Sequence, residues 1–194
     1  MKKKPLIIAL EGIDGTGKSS VVNKILQAFP NDCIKYQRTK KGKFIDKLVS
    51  CNIMLHNTKF LIPIYLLLSY KNYLLFKLHR KNESIIIMER CFFSNICYFF
   101  PQALHDKKVY QRAMAFEIKL IPQVIFIFDV DPEISQERDK KKPLEWLSKT
   151  RDAYHDIPNS FIVDLLHLHI EMIHNNASIE ENSKAIIEYI QNAI

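Results

Sequence analysis

The sequence predicts an α/β protein: a three-layer sandwich in which a five-stranded parallel sheet carries helices on both faces. Strand-like runs alternate with helical segments along 194 residues. The runs 85–88 and 124–128 are apolar throughout, which is typical of parallel strands that are buried on both faces. The first strand leads through a glycine-rich loop into a helix. A chain of this length is expected to fold as a single domain.

We predict strands at residues 5–10, 32–36, 84–88, 123–129 and about 169–173. Helices are predicted at 18–29, about 43–51, 59–80, 92–104, 107–120, 132–140, 144–155, 159–166 and 179–193. Because ligands of such sheets bind beyond the carboxyl ends of the strands, charged residues that follow strands are candidate site residues. They are Asp14, Arg38, Glu89, Arg90, Asp129 and Asp131. Charge also marks where a buried strand meets water, and this alternative is strongest for Asp129 and Asp131.

The loop after the first strand carries the most specific motif of the chain. Residues 12–19 read Gly-Ile-Asp-Gly-Thr-Gly-Lys-Ser, which fits the phosphate-loop pattern G-x-x-x-x-G-K-[ST]. Amide groups of such a loop converge on phosphate, and the following helix adds its positive N-terminal end. Lys18 supplies a charge for the β- and γ-phosphates, and Ser19 can ligate Mg²⁺. The predicted ATP-binding residues are Gly12, Ile13, Asp14, Gly15, Thr16, Gly17, Lys18, Ser19 and Ser20.

Composition narrows the function classes. The formal net charge of +7 suits nucleic acid or any other polyanionic ligand, including ATP. We expect no nucleic-acid binding, since the basic residues lack interleaved exposed aromatics and a known binding motif. The four cysteines form neither C-x-x-C nor a zinc-type cluster, so reduced thiols and a cytoplasmic location are expected. The longest apolar stretch, 60–68, contains Pro63 and is too short to span a bilayer. No targeting segment or membrane association is expected.

Four segments resemble the thymidylate kinase and deoxynucleoside kinase superfamily, and thymidylate kinases more closely. The phosphate loop, residues 10–20, carries Asp14 where the family has a carboxylate that contacts the acceptor sugar. Residues 89–98, Glu-Arg-Cys-Phe-Phe-Ser-Asn-Ile-Cys-Tyr, are similar to D-R-Y-x-x-S-x-x-A-Y. Asp-Val-Asp-Pro-Glu at 129–133 resembles the strand that leads into the family's lid, and residues 147–154 resemble L-x-x-x-R-x-x-Y.

The resemblance implies a P-loop kinase fold over residues 1–194 and phosphoryl transfer from ATP, with Mg²⁺, to a nucleoside monophosphate. The favoured acceptor is dTMP, and a homodimer is implied. The implied acceptor-binding residues are Asp14, Arg38, Lys71, Arg90, Ser94 and Tyr98, and the metal-site residues are Ser19 and Glu89. Arginine suits an acceptor phosphate because its fork binds two oxygens. Glu89 either orders metal-bound water, or positions Arg90, or forms a structural ion pair with it. An acceptor phosphate is already ionised near neutral pH, so no strong general base is required.

The lid supplies further catalytic candidates. In this family the arginine that stabilises the transferring phosphoryl group comes from the phosphate loop or from the lid. Gly15 stands at the loop position and has no side chain. We therefore expect a lid at about 136–145 to provide the charge, with a solvated basic helix end as the alternative. The predicted catalytic residues are Lys18, Arg90, Arg138, Lys140 and Lys142.

The acceptor side departs from the family pattern. Leu67 stands where an aromatic ring is expected to stack on thymine, and Lys71 stands where arginine is usual. Residues 39–42 read Thr-Lys-Lys-Gly in place of Glu-Pro-Gly-Gly. A second hypothesis is therefore a nucleotide-binding protein of the same fold with a non-standard acceptor or a regulatory, non-catalytic role. Asp14, Arg90 and the basic lid favour the kinase, because a protein that only binds nucleotide needs none of them.

Overall fold

A parallel sheet lies between two layers of helices, as the sequence predicts. The computed structural model describes residues 4–36, the helical positions 71, 74, 77 and 78, and residues 83–114, 121–140, 142–174 and 178–194. Its strands are β1 (Leu6–Glu11), β2 (Cys33–Tyr36), β3 (Ile85–Glu89), β4 (Val124–Asp129) and β5 (His169–His174). The order in the sheet is β2-β3-β1-β4-β5, and every neighbouring pair is parallel. All five predicted strands are confirmed to within one residue at each end.

The helices of the described residues are α1 (Lys18–Ala28), α2 (Phe92–Phe99), α3 (Lys107–Met114), α4 (Pro132–Arg138), α5 (Leu144–Asp156), α6 (Phe161–Leu166) and α7 (Ile179–Ala193). Two 3₁₀ turns lie at Pro101–Leu104 and Ile157–Asn159. The helix predicted at about 43–51 lies outside the described residues. The one predicted at 59–80 is described only at its four helical positions.

Residues 115–120 of the helix predicted at 107–120 lie outside the described residues. Among the predicted helices whose ends are described, two end at least two residues earlier than expected, each for a local reason. The prediction of one helix over 92–104 is wrong: α2 ends at Phe99 and a 3₁₀ turn follows, because Pro101 has no amide hydrogen with which to continue the helix. The helix predicted at 132–140 ends at Arg138, since Asp139 is extended, with φ −139° and ψ 90°. Lys140 and Lys142 therefore lie beyond the helix, in the connection to α5.

The alternation of side chains along the strands builds two cores. On one face, Ile8, Leu10 and Ile87 pack with residues of α1 and α7. On the other face, Ala9 and Met88 pack with residues of α2 and α5. Successive residues of a strand point to opposite faces, so apolar runs such as that of β3 serve both cores at once. Within the described residues, no helix is long and apolar enough to cross a membrane.

The sheet order brings the ends of two central strands together. β1 and β3 are neighbours, and Leu10 is paired with Glu89. The loop after β1 and the turn after β3 therefore begin side by side. This explains why two segments almost 80 residues apart in sequence form one site at the carboxyl edge of the sheet.

A charged cluster at the end of β4 fixes helix α5 to the sheet. Arg151 donates from Nε to Oδ1 of Asp129 at 2.6 Å and from Nη2 to Oδ2 at 3.2 Å. Nε2 of His155 lies 2.8 Å from Asp129 Oδ1, and Arg151 also pairs with Asp131 at 3.1 Å. Burial alone would raise the pKa of Asp129, but Arg151 and His155 lower it to about 2. Asp129 and Asp131 thus lie in structural ion pairs.

We expect Asp129→Asn to destabilise the fold in a pH-dependent way. The pKa of Asp129 is lower in the folded state, about 2 against an ordinary 3.8, so its contribution is present above about pH 4 and is lost as the pH falls through 2. The shift corresponds to about 2 kcal/mol. Urea unfolding should show a difference of that size between wild type and variant at pH 7, shrinking towards pH 2. A constant difference across this range would contradict the assignment. Asp164→Asn, at an exposed position of α6, should change stability little.

Candidate active site

The phosphate loop takes its shape from glycines with positive φ angles. Gly12 has a φ of +128°, and a Cβ there would lie 2.5 Å from the carbonyl oxygen of Phe128. Gly17 has a φ of +83° and caps the N-terminus of α1. Positive φ is costly for residues with a side chain. The predicted strand, loop and helix context of the motif is therefore present, with the loop pressed against the end of β4.

Lys18 lies inside the curve of the loop. Its ammonium donates to the carbonyls of Ile13 at 2.6 Å and Gly12 at 3.1 Å, and to Oγ1 of Thr16 at 2.6 Å. The side chain is buried, and this burial, together with the charge of Arg90, holds the pKa of Lys18 well below its ordinary value. The three oxygens orient the ammonium beside the cavity that the loop surrounds.

Arg90 forms the opposite wall of the site. It adopts a left-handed backbone conformation, with φ +72°, which costs a residue with a side chain roughly 1–2 kcal/mol. Nη2 of the guanidinium donates a hydrogen bond to the carboxylate of Asp14, and Nη1 donates to the carbonyl oxygen of Gly12 at 2.9 Å. The guanidinium also lies 5.0 Å from the ring centre of Tyr98. Strained conformations of this kind cluster at functional sites, and this one turns the side chain towards the phosphate loop.

Glu89 links the metal candidate Ser19 to a residue that the motif analysis missed. Ser19 donates its hydroxyl to one oxygen of Glu89, and Lys35 of β2 forms an ion pair with the other. Burial alone would raise the pKa of Glu89, but these two partners lower it. The described contacts of Glu89 are thus with Ser19 and Lys35, whereas the ion pair of Arg90 is with Asp14. A lysine in a strand of mixed polarity carries no motif signal, so only the sheet register reveals Lys35.

Glu11 is a second residue that sequence reasoning did not name as a candidate and that the structure places beside the site. It is fully buried and accepts hydrogen bonds from the backbone amides of Cys91 and Ser94 at 2.6 and 3.2 Å. Its carboxylate also accepts from the hydroxyls of Ser94 at 2.6 Å and Tyr154 at 2.8 Å. Two sequence signals could have pointed to it: a charged residue at the end of an apolar strand, and its place in the segment 10–20 that resembles the family.

The phosphate loop, Glu89 and Arg90 line one cavity of about 330 Å³. The phosphate-loop residues 14–20 line one side, and Glu89, Arg90 and Asp139 line the other. Backbone amides, an ammonium and a guanidinium therefore meet across a single space. Such a set of donors fits phosphate groups. The cavity brings together Asp14, Lys18, Ser19, Glu89 and Arg90 from the predicted site residues.

A second cavity of about 250 Å³ lies on the other side of the phosphate loop. Its walls are partly apolar, with Val21, Phe128 and Ile179, and partly polar, with Arg138 and Asn182. Gly15, Thr16, Gly17 and Ser178 complete it. A flat apolar ring with polar edges fits such a lining. Of these residues, sequence reasoning named only those of the phosphate loop and Arg138.

The lid candidates occupy three different environments. Arg138 donates to the carbonyl oxygen of Gly15 at 3.2 Å, so it reaches the phosphate loop. Lys142 stacks its ammonium over the ring of Trp146, 4.3 Å from the ring centre, and its carbonyl accepts from Gln136 at 3.1 Å. Lys140 is exposed.

Helix α4 packs on the phosphate loop itself, where a Cβ at Gly15 would lie 2.8 Å from the carbonyl oxygen of Ser135.

The remaining acceptor candidates fall into two groups. Ser94 and Tyr98, both on α2, lie beside Arg90: the hydroxyl of Ser94 accepts from it at 3.2 Å, and the ring of Tyr98 packs against its guanidinium. Lys71 is an exposed helical residue with no described contact to this cavity. Arg38 lies outside the described residues, as does Leu67.

The residues present fit a magnesium ion that arrives with a nucleotide. The exposed hydroxyl of Ser19 and the carboxylate of Glu89 are oxygen donors, which Mg²⁺ prefers. Among the residues that the structure describes, no three His, Cys, Asp or Glu side chains form a metal-binding cluster. Nucleotide-dependent magnesium sites need no such cluster, since they combine one or two protein groups with substrate phosphates.

Comparisons with known proteins agree with this geometry. Residues 10–186 match the sequence model of the family described as thymidylate kinase. The chain is 27% identical over 162 residues to a probable thymidylate kinase of Archaeoglobus fulgidus, covering 77% of this chain and 80% of that protein. Its fold is similar to that of thymidylate kinase from Ehrlichia chaffeensis, with a TM-score of 0.65 and 18% identity over 97% of this chain and 100% of that one. The matched segment contains the phosphate loop, Arg90 and the lid candidates, and the chain belongs to the thymidylate kinase family.

Proposed function

We propose that this protein transfers the γ-phosphoryl group of ATP to dTMP, yielding ADP and dTDP. The observation that carries the proposal is the single cavity between the phosphate loop and Arg90. A donor phosphate held by the loop and an acceptor phosphate held by Arg90 would face each other across this space. Phosphoryl transfer depends mainly on such positioning and on charge neutralisation. Membership of the thymidylate kinase family supports dTMP as the acceptor.

On the donor side, the amides of the loop and of the first turn of α1 would bind the β- and γ-phosphates. Lys18 would exchange its contacts with loop carbonyls for phosphate oxygens, and its low exposure of 5% strengthens that attraction. When bound, Mg²⁺ would neutralise charge on the β- and γ-phosphates. Ser19 would hold it, and Glu89 would orient the Ser19 hydroxyl. The second cavity, beside Gly17 and Ile179, would take the nucleoside of ATP.

On the acceptor side, Arg90 would bind the phosphate of the monophosphate. Its ion pair with Asp14 and its contact with Tyr98 hold the guanidinium fork in one orientation, so little entropy is lost on binding. Asp14 would also reach the acceptor sugar, and Ser94 would complete the wall. Arg38 and Lys71 remain proposed acceptor residues on the family resemblance alone.

The lid, residues about 136–145, would supply the charge that the phosphate loop lacks. Arg138 is the lid residue whose side chain contacts the loop, at the carbonyl of Gly15. A side chain at position 15 is excluded by helix α4. We therefore assign the contact with the transferring phosphoryl group first to Arg138. Lys140 and Lys142 are proposed to add charge when the lid closes.

We further propose that the domain functions as a cytoplasmic homodimer. Leu74 and Leu78 are four residues apart at helical positions, and 41% and 80% of their surfaces are exposed. Large apolar side chains at this spacing form one stripe on a helix, and a second copy of the chain would cover it. The described cysteines Cys33, Cys91 and Cys97 form no disulfide, which agrees with a reducing compartment.

The first measurement is ADP production from Mg-ATP with dTMP, dUMP, dCMP, dGMP, UMP, CMP and thymidine as acceptors. We expect turnover with dTMP. Lys18→Met should lower kcat by about 10²–10³-fold, as does loss of other preorganised charge contacts. Lys24→Met is the matched control, because Lys24 is on the same helix but pairs with Glu180 at 2.8 Å. Binding of ATP without turnover of any monophosphate would overturn the proposal.

Among the lid residues, Arg138→Ala should have the largest effect on kcat, a reduction of about 10²–10³-fold, with a smaller change in KM. Lys140→Ala and Lys142→Ala should reduce kcat less, because neither side chain contacts the loop in this structure. Steady-state kinetics with dTMP separate these effects. If all three variants keep the wild-type kcat, the lid has no catalytic role.

The proposed dimer is tested by sedimentation velocity on the full chain. Wild type should sediment as a dimer, and Leu78→Glu should sediment as a monomer, because a carboxylate cannot be buried without a partner. Leu165→Glu is the control, since Leu165 is an exposed leucine of α6. A monomeric wild type at micromolar concentration would refute the homodimer.

A further inference from the structure

Lys35 reaches the active site through the register of the sheet. β2 and β3 are parallel neighbours, and Lys35 is paired with Ile87. Glu89 is two residues further along β3, so its side chain leaves the same face as that of Ile87. Ile87 belongs to the core against α1, and Ser19 is in the first turn of that helix. The three side chains of Lys35, Glu89 and Ser19 therefore converge at one point.

Both oxygens of the Glu89 carboxylate are engaged there. One accepts the hydroxyl proton of Ser19, which leaves the lone pairs of the Ser19 oxygen available to a metal ion. The other forms the ion pair with Lys35. The side chains of Lys35 and Glu89 are 23% and 20% exposed, so solvent screens this pair less than it screens pairs at the surface. The charge of Glu89 is thus balanced within the protein.

We propose that Lys35 is a positioning residue that neutralises Glu89 and thereby makes magnesium binding depend on the nucleotide. Without Lys35, an unpaired carboxylate would stand beside the Ser19 hydroxyl, and the two would attract a free divalent cation. With Lys35, the pair carries no net charge, and the negative charge that draws Mg²⁺ comes from the phosphates of ATP. Lys35 also keeps one oxygen of Glu89 turned towards Ser19. The inference rests on the proposed Mg-ATP-dependent function.

The test is calorimetric titration of the nucleotide-free full chain with MgCl₂. Lys35→Met should bind Mg²⁺ at least about tenfold more tightly than wild type, because one repelling charge near the metal is removed. Lys35→Arg keeps the charge and should behave as wild type. Adding Glu89→Gln to Lys35→Met should abolish the gain. Lys149→Met is the matched control, since it frees the exposed carboxylate of Glu145 from a pair at 2.7 Å, and it should show no gain.

Two outcomes would overturn the inference, and they can be told apart. If wild type binds ATP more tightly with Mg²⁺ than without it, yet Lys35→Met gains no affinity for free Mg²⁺, the role of Lys35 is wrong and the proposed function stands. If wild type binds no Mg-ATP, the proposed function fails and the inference fails with it. Circular dichroism confirms that each variant is folded. Lys35→Gln, which removes the charge but keeps a polar side chain, replaces Lys35→Met if that variant does not fold.

Discussion

The buried carboxylate of Glu11 is the contact on which the geometry of the site depends. It ends β1, immediately before the phosphate loop, and it accepts two amide and two hydroxyl hydrogen bonds. The amides belong to Cys91 and Ser94 at the N-terminus of α2, where a negative charge is favoured. These four bonds offset the cost of burying a charge. They also hold α2, and Tyr154 of α5, at a fixed position relative to the loop.

The position of Arg90 follows from this contact. Arg90 lies directly before Cys91, whose amide is bonded to Glu11, and its own amide donates to the carbonyl of Leu10 at 3.0 Å. The backbone of Arg90, held at its own amide and at that of Cys91, adopts a left-handed conformation. The surrounding hydrogen bonds stabilise this strained conformation, which places the side chain of Arg90 opposite the phosphate loop. The phosphate loop and Arg90, which we propose hold the donor and the acceptor, are in this way linked through one buried carboxylate.

The segment proposed as the lid makes two described contacts of different character. Arg138 makes a single polar contact with the loop. Lys142 packs on the ring of Trp146, whose ring centre lies 4.9 Å from that of Tyr98. Tyr98 in turn contacts Arg90. A series of side-chain contacts therefore runs from Lys142 to Arg90 through the rings of Trp146 and Tyr98.

Local sequence determined the strands, the phosphate loop and the family. The signals for them are properties of neighbouring residues: apolar runs, glycine positions and the lysine–serine pair that ends the phosphate-loop motif. Local sequence named Asp14, Lys18, Ser19 and Arg90 as candidates for the same reason: each sits in a motif or at a strand end. The tertiary structure decided the partners of these residues. From the sequence alone, Glu89 could either pair with Arg90 or serve the metal site. The register of β2 with β3 placed it between Lys35 and Ser19. Glu11 gained its role only when β1, α2 and α5 met around it. Contacts between residues distant in sequence depend on how the strands are ordered, and no local pattern encodes that order.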